Sequence, residues 1–442
     1  MQCDTAQAAI HDLQAVLRLV DAGKVAVSDK TRLPSAATMK AIAPFLLGGD
    51  YYDDTELKAQ KQSNYYDPVG YIKPFAWPLL IQAGGLAELK GKKLQLSKAG
   101  QKALTQPAEK TLRTLWKKWI SNKLLDEFRR IDAIKGQTGK GGRTLTAVTG
   151  RRQVIQTALS ECPVDQWLLV DEFWRYMVAA GHDFEVSRNP WNLYICDSHY
   201  GSLGYEGYGG WNILQARYGM CLLFEYAATL GLIDIVYAPP HEARSDYRDM
   251  WGTDDLAFLS RYDGLLSFRL NPLGAYCLNL TTEYQAPVQN VQPILQIHPS
   301  LELTATGASI SPADAMLLEV YAEKLSDTVW RLDQPRILAA IEQGQGVNDL
   351  KEFLQSRSGG TLPAPVEQFL ADIAKRGQAL QDRGTARVIE CVDEQLAALI
   401  ANDAQTQRYC GVMGDRYLVI PTESESKFRA ALKNLGYSIA QK

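Results

Sequence analysis

The sequence predicts a helix-rich α+β chain, and three observations carry that expectation. Apolar residues recur at helical spacing through several stretches. A compact order of helix, strand, basic glycine turn, strand and capped helix surrounds residue 90, and its parts return later. Beyond residue 293 short strand and helix patterns alternate, as in a separate small α+β region.

Residues 6–22 place apolar side chains at helical spacing, and Gly23 follows as a stop signal. A second helix starts after Ser35, an N-cap residue, and reaches Leu47 before Gly48-Gly49 breaks it. Residues 50–74, rich in Tyr and Asp, read as a loop that includes Tyr51, Tyr52, Tyr65, Tyr66 and Tyr71. A third helix follows, Phe75 to Ala83. Gly85 ends it, and Leu86 to Leu89 reads as a strand. Lys90-Gly91-Lys92-Lys93 is a turn, Leu94 to Leu96 a second strand, and Ser97 caps a helix from Lys98 to Leu104. This order predicts a winged helix with Lys90, Lys92 and Lys93 at the wing tip.

The same signature returns further on. Thr229 to Ile235 matches Ala83 to Leu89 in kind, and Ser267 to Leu278 matches Lys93 to Leu104. Leu96, Ser97, Gly100 and Leu104 align with Leu270, Asn271, Gly274 and Leu278. The shared physics is a strand, a cap residue, and a helix whose glycine lets backbones approach. A second winged helix with an elongated wing from Tyr237 to Leu265 is therefore expected. Between the copies, Glu109 to Ile134 reads as a basic amphipathic helix. Gly150–Glu161 and Leu168–Ala180 read as further helices, and 136–142 (GQTGKGG) as a flexible basic loop. Residues 187–212 form an aromatic, glycine-rich insertion with Trp191, Tyr200, Tyr205, Tyr208 and Trp211.

A polar stretch with two prolines, Thr281 to Pro293, marks a boundary. Strands are expected at 294–298, 301–306, 328–332, 386–391 and 417–420. Helices are expected at 312–324, 334–343, 347–356, 363–375, 393–401 and 423–435. The predicted division is thus 1–108, a helical and winged-helix domain; 109–287, a basic helical segment with the second winged helix and the insertion; and 288–442, a small α+β domain.

Within that last region, Leu295-Gln296-Ile297-His298-Pro299, Val329-Trp330-Arg331-Leu332 and Ala339-Ala340-Ile341-Glu342-Gln343-Gly344 follow one another in order. Leu354-Gln355-Ser356-Arg357-Ser358 and Leu362-Pro363-Ala364-Pro365-Val366 complete the series. In these residues the region from about 291 resembles the helicase-associated domain found N-terminal to the motor of XPB-type DNA helicases. The likeness covers about a third of the chain and involves no catalytic residue. It implies a DNA-engaging or autoregulatory accessory domain. It departs from the family because no motor is present. A P-loop needs G-x-x-x-x-G-K-[ST]. The near miss Gly139-Lys140-Gly141 has no hydroxyl residue after the lysine and no glycine five positions before it.

Charge is the feature that points to a partner. The net charge is −3, yet Lys90 to Arg152 holds 17 Lys and Arg against 4 Asp and Glu. Such a block on an otherwise acidic chain is the footprint of a polyanion site. The expected phosphate contacts are Lys90, Lys92, Lys93, Lys98, Lys102, Lys117, Lys118, Arg129, Arg130, Lys140, Arg143, Arg151 and Arg152. The partners expected are duplex or forked DNA and a helicase, ATPase or nuclease on a separate chain, in repair or anti-phage defence. The helix Phe75 to Gln82 is the one that would enter a groove, although Trp77, Leu79, Leu80 and Ile81 equally suit a core. The competing expectation is a protein–protein scaffold. In it the insertion's Trp191, Tyr200, Tyr205, Tyr208 and Trp211 anchor a partner. The same rings suit single-stranded bases, or a loop packed on itself.

No catalytic, cofactor or metal constellation is expected. The seven cysteines and five histidines are scattered without C-x-x-C or H-x₃₋₅-H spacing. Glu88-Leu89-Lys90 has the letters of a nuclease strand but no clustered carboxylates beside it. A small-molecule substrate is not expected. No apolar run reaches the roughly 18 residues of a membrane span. The N-terminal helix lacks signal-peptide features, so a cytoplasmic location is expected.

Overall fold

The computed structural model describes residues 1–52, 69–196, 199, 201–205, 210–285, 293–307, 310–342, 344, 346–380 and 384–440. Tyr65, Tyr66, Tyr200 and Tyr208 lie outside them. The chain is α+β, with about 48% helix and 15% strand arranged in small sheets. It forms two compact units, Met1–Gln368 and Phe369–Lys442.

The first unit begins with strand β1 (Gln2–Cys3) and helices α1 (Ala6–Asp21), α2 (Ala36–Ile42) and α3 (Lys73–Ala83). Hairpin β2 (Ala87–Lys90) and β3 (Lys93–Leu96) follows, then α4 (Lys98–Ala103) and α5 (Ala108–Ser121). Short helix α6 (Gly139–Thr144) precedes α7 (Val148–Ser160), β4 (Trp167–Leu169) and α8 (Val170–Ala179). Helix α9 runs over 212–227, with π-helical turns Asn212–Ala216 and Leu222–Ala227 flanking the α-helical Arg217–Cys221. Its widened hydrogen bonding continues into the bond from Ala228 N to Leu223 O, 2.8 Å. Strand β5 (Ile233–Tyr237), short α10 (Pro240–Ala243), β6 (Leu265–Leu270) and α11 (Pro272–Cys277) complete this part.

Two halves repeat one another. The first runs α1, the extended residues 25–27, α2, α3, β2, β3 and α4. The second runs α7, β4, α8, α9, β5, β6 and α11. In the first, Leu94 N donates to Val25 O at 2.9 Å, so 25–27 lies beside β3, which pairs with β2. In the second, β4 pairs antiparallel with β6, which pairs with β5. The third extended piece is central both times. Atomic details repeat too. Ser97 Oγ donates to Gly85 O at 2.7 Å and accepts from Gly100 N at 3.1 Å. Asn271 Nδ2 donates to Gly231 O at 3.0 Å, while its Oδ1 accepts from Gly274 N at 2.9 Å. Gly85 and Gly231 both have left-handed φ, 72° and 77°.

The expected boundary at 108 does not separate two cores. One hydrophobic cluster runs from Ala9 through Trp77, Trp116 and Phe224 to Leu278. Strand β1 joins the second half's sheet by pairing with β5, and Thr5 N donates to Asp234 Oδ1 at 2.9 Å. Three local expectations are also corrected. The helix expected over 109–134 ends at Ser121, where Asn122 turns extended and Arg152 takes the Asn122 and Leu125 carbonyls; a short 3₁₀ turn, Glu127–Arg130, follows. The expected flexible loop 136–142 contains α6, with Gly141 buried against Gly136 O, where a Cβ would stand 1.9 Å away. Leu168 and Leu169, expected to open a helix, belong to a strand, Trp167–Leu169.

The remainder of the first unit holds β7 (Leu295–Ile297), β8 (Glu302–Ala305), α12 (Pro312–Tyr321), β9 (Ala322–Lys324) and β10 (Val329–Leu332). These strands make an antiparallel sheet in the order β7-β8-β10-β9. Helices α13 (Gln334–Glu342), α14 (Val347–Ser358) and α15 (Ala364–Ala379) follow, and the division between units falls within α15. The second unit has β11 (Ala386–Glu390), α16 (Glu394–Asn402), β12 (Gly411–Met413), β13 (Tyr417–Pro421) and α17 (Glu425–Asn434). Its sheet is ordered β11-β13-β12 over a core with Ile420 and Phe428. The expected third domain, 288–442, is therefore two pieces, each with its own sheet. Among the described residues no helix is long and apolar enough to cross a membrane.

Candidate nucleic-acid interface

The hairpin that carries the basic tip forms for local reasons. Gly91 takes φ 67°, which a tight turn between two strands needs. Leu94 faces the core while Lys90, Lys92 and Lys93 face solvent. Ser97 caps α4, whose Lys98 and Lys102 are one turn apart and exposed. Helix α5 is amphipathic by the same logic. Leu112, Leu115, Trp116 and Trp119 are buried, and Lys110, Lys117 and Lys118 line the opposite side. Among the described residues none of these eight lysines has an acidic partner.

The arginines of the basic block behave differently, and three expected phosphate contacts are corrected. Arg152 is wholly buried, with Nε 2.7 Å from Glu127 Oε1. Its other nitrogens donate to Asn122 O and Leu125 O, both at 2.8 Å, and to Trp119 O. The guanidinium thus closes the carbonyl end of α5 and holds the turn after it. Arg151 makes a two-pronged bond to Asp126, at 3.1 and 2.6 Å. Arg130 grips Glu225 on α9 at 2.6 Å, donates to Tyr71 O at 2.9 Å and lies over the Phe75 ring. Burial opposes charge on Arg152 and Arg130, but Glu127 and Glu225 outweigh it, so both hold their protons above the ordinary arginine range. Arg129, in contrast, is exposed.

The remaining expected contacts fall in a second place. Lys140 and Arg143 are exposed on α6, which packs on the turn Pro190–Asn192 of the aromatic insertion. There Trp191 and Tyr205 are exposed at 56% and 69% and meet edge to face, ring centres 4.8 Å apart. Trp211 is half-buried against Trp174, and its Nε1 donates to Asp183 Oδ1 at 2.9 Å.

The groove-reading role of Phe75–Gln82 is corrected as well. Trp77, Leu79, Leu80 and Ile81 are fully buried, and α3 packs against α9 of the second half. Helix α9 is itself buried from Ile213 to Ala227 apart from half-buried Gln215. Each half therefore hides its third helix in the other.

Sequence reasoning missed a groove beside the hairpin. A cavity of about 640 Å³ is lined by Arg32, Gln82, Ala83, Ala87, Glu88, Leu89, Asn122, Lys123 and Leu124. One wall is β2 and the other is the turn that Arg152 holds. Lys123 lies inside the basic block and was visible there; Arg32 lies outside it, and no sequence signal marks it. Glu88 and Lys90 stand two residues apart on β2, and among the described residues no three His, Cys, Asp or Glu gather as a metal site. Gly139-Lys140-Gly141 begins a short helix that follows irregular chain, not a strand. No family model matches this chain, and no curated protein matches it.

Proposed function

We propose that the chain is a non-catalytic DNA-binding accessory subunit, built on tandem winged helices, that acts with a helicase or other DNA-processing effector on a separate chain. Repair and anti-phage defence are the settings in which such a motor-less subunit works. One observation carries this reading. Arg151, Arg152 and Arg130 are consumed by Asp126, Glu127 and Glu225, whereas the lysines of the hairpin, α4 and α5 stay exposed without acidic partners. Neutralising internal acids is a structural use of charge; lysines left unpaired in solvent are available to phosphate. The repeated order of helices and strands supports the winged-helix reading, and the likeness of the C-terminal third to a helicase-associated domain supports the partner. With both third helices buried, contacts come from wing and helix faces and carry no sequence information.

Fluorescence anisotropy with labelled duplex, forked and single-stranded DNA over a salt series tests this. Salt-steep binding is expected, with log K falling by about 0.9 per phosphate contact per log unit of salt on duplex. Absence of binding at low salt defeats the proposal.

The exposed Trp191–Tyr205 pair favours a second reading, a scaffold whose aromatic insertion anchors a protein partner. Replacing both rings by Ala would then abolish effector capture while DNA affinity stayed unchanged.

A further inference from the structure

We infer that the groove between β2 and the 122–124 turn seats one unpaired nucleotide at a DNA end or fork; this rests on the DNA-binding reading above. The groove's size is that of a small-ligand site, about 640 Å³. A duplex, which offers only base edges and two backbones, cannot enter it. A single flat base can.

The lining sorts by chemistry. Ala83, Ala87, Leu89 and Leu124 supply apolar surface for a base face. Gln82, Glu88 and Asn122 supply polar groups for a base edge, and Glu88 accepts from an exocyclic amine while repelling phosphate. Arg32 and Lys123, both exposed and without an acidic partner among the described residues, supply positive charge for the backbone. The base therefore points inward and its phosphate outward, continuing toward Lys90 and Lys92 on the hairpin tip. Arg32 adds a planar guanidinium on which a base can stack.

The backbone at Arg32 is a second, independent observation. Arg32 has φ 63°, a left-handed conformation that costs a non-glycine residue energy. Two bonds hold it there: Arg32 N donates to Ser28 O at 2.9 Å, and Gln82 Nε2 donates to Arg32 O at 3.1 Å. Gly or Asn would occupy this position at lower cost. An arginine kept in a strained turn, aimed into a groove and unpaired, is placed for its side chain.

The test compares blunt duplex with the same duplex bearing a short single-stranded overhang, by anisotropy at fixed salt. A 2-aminopurine in the overhang reports unstacking. Wild type should bind the overhang about tenfold more tightly than the blunt end, the scale of one charge-assisted contact, with a rise in 2-aminopurine emission. Arg32→Gly together with Lys123→Ala should remove the preference for the overhang, with a much smaller loss on the blunt duplex. Arg32→Gly relieves the strained φ, so a thermal midpoint at or above wild type confirms that folding is intact. Equal binding of blunt and overhang DNA by wild type, or an equal loss for both in the variant, overturns the groove while the wider DNA reading stands. No binding to any DNA overturns both.

Discussion

Arg152 and Glu127 form an ion pair, 2.7 Å from Nε to Oε1, that solvent does not reach from either side. Glu127 also accepts from Trp119 Nε1 at 3.1 Å and from the Tyr218 hydroxyl at 2.8 Å. Arg152→Ala leaves that carboxylate buried without its cation. The expected cost is about 3–5 kcal/mol, read as a lowered urea midpoint. The double change Arg152→Met, Glu127→Leu should cost less than the single one, since no charge is then stranded. What it still costs is the lost partners of the 119, 122 and 125 carbonyls and of the Trp119 and Tyr218 donors. If the single and double variants unfold alike, a stranded Glu127 carboxylate is not what the single change costs.

Lys90, Lys92 and Lys93 lie on the hairpin surface, where substitution should leave stability within about 0.5 kcal/mol of wild type. Changing all three to Ala should weaken binding to every DNA sequence alike and flatten the salt slope by up to about 0.9 per lysine. A loss confined to one sequence would contradict contacts that address phosphate only.

The repeat makes a paired prediction. A Cβ on Gly100 would stand 2.0 Å from Leu86 O, and one on Gly274 would stand 2.0 Å from Leu232 O. Both Gly100→Ala and Gly274→Ala should destabilise, each by about 1–3 kcal/mol. Gly150, helical with nothing near its missing Cβ, is the control, and Gly150→Ala should be neutral or stabilising by under about 1 kcal/mol. Thermal unfolding separates the cases; a harmless Gly274→Ala beside a damaging Gly100→Ala would break the equivalence of the halves.

Hydrogen bonds from Tyr176 and His182 hold the Glu161 carboxyl below the usual carboxylate range. A carboxyl depressed in the folded state adds stability above its unfolded pKa, and that stability disappears as pH falls through the folded value. The urea midpoints of wild type and Tyr176→Phe should therefore differ at pH 7 and converge below about pH 4. An NMR titration in which Tyr176→Phe leaves the Glu161 midpoint in place would refute the bond.

What the sequence made legible was local chemistry. Gly85, the Lys90–Lys93 turn and the Ser97 cap announced a hairpin and a helix start, and Gly231 with Asn271 announced their return. What stayed hidden depended on distance. Glu225 is 95 residues from Arg130, so nothing near that arginine showed it was already spoken for. Strand β4 was hidden by its neighbours, because Trp167-Leu168-Leu169 merges with the apolar pattern of α8. The groove needed two separated segments, and Arg32 is fixed by Gln82, 50 residues away.

Strand β1 has a consequence in time. Thr5 waits for Asp234 across 229 residues of chain. A ribosome adding ~5–20 residues per second takes roughly 10–45 s to cover that interval. Until then the first half is complete in sequence but has no seat for its opening strand, and until α9 is made it has no cover for the face of α3 that α9 buries. A nascent chain stalled before α9 is not a smaller working protein; it is an apolar helix presented to chaperones and proteases.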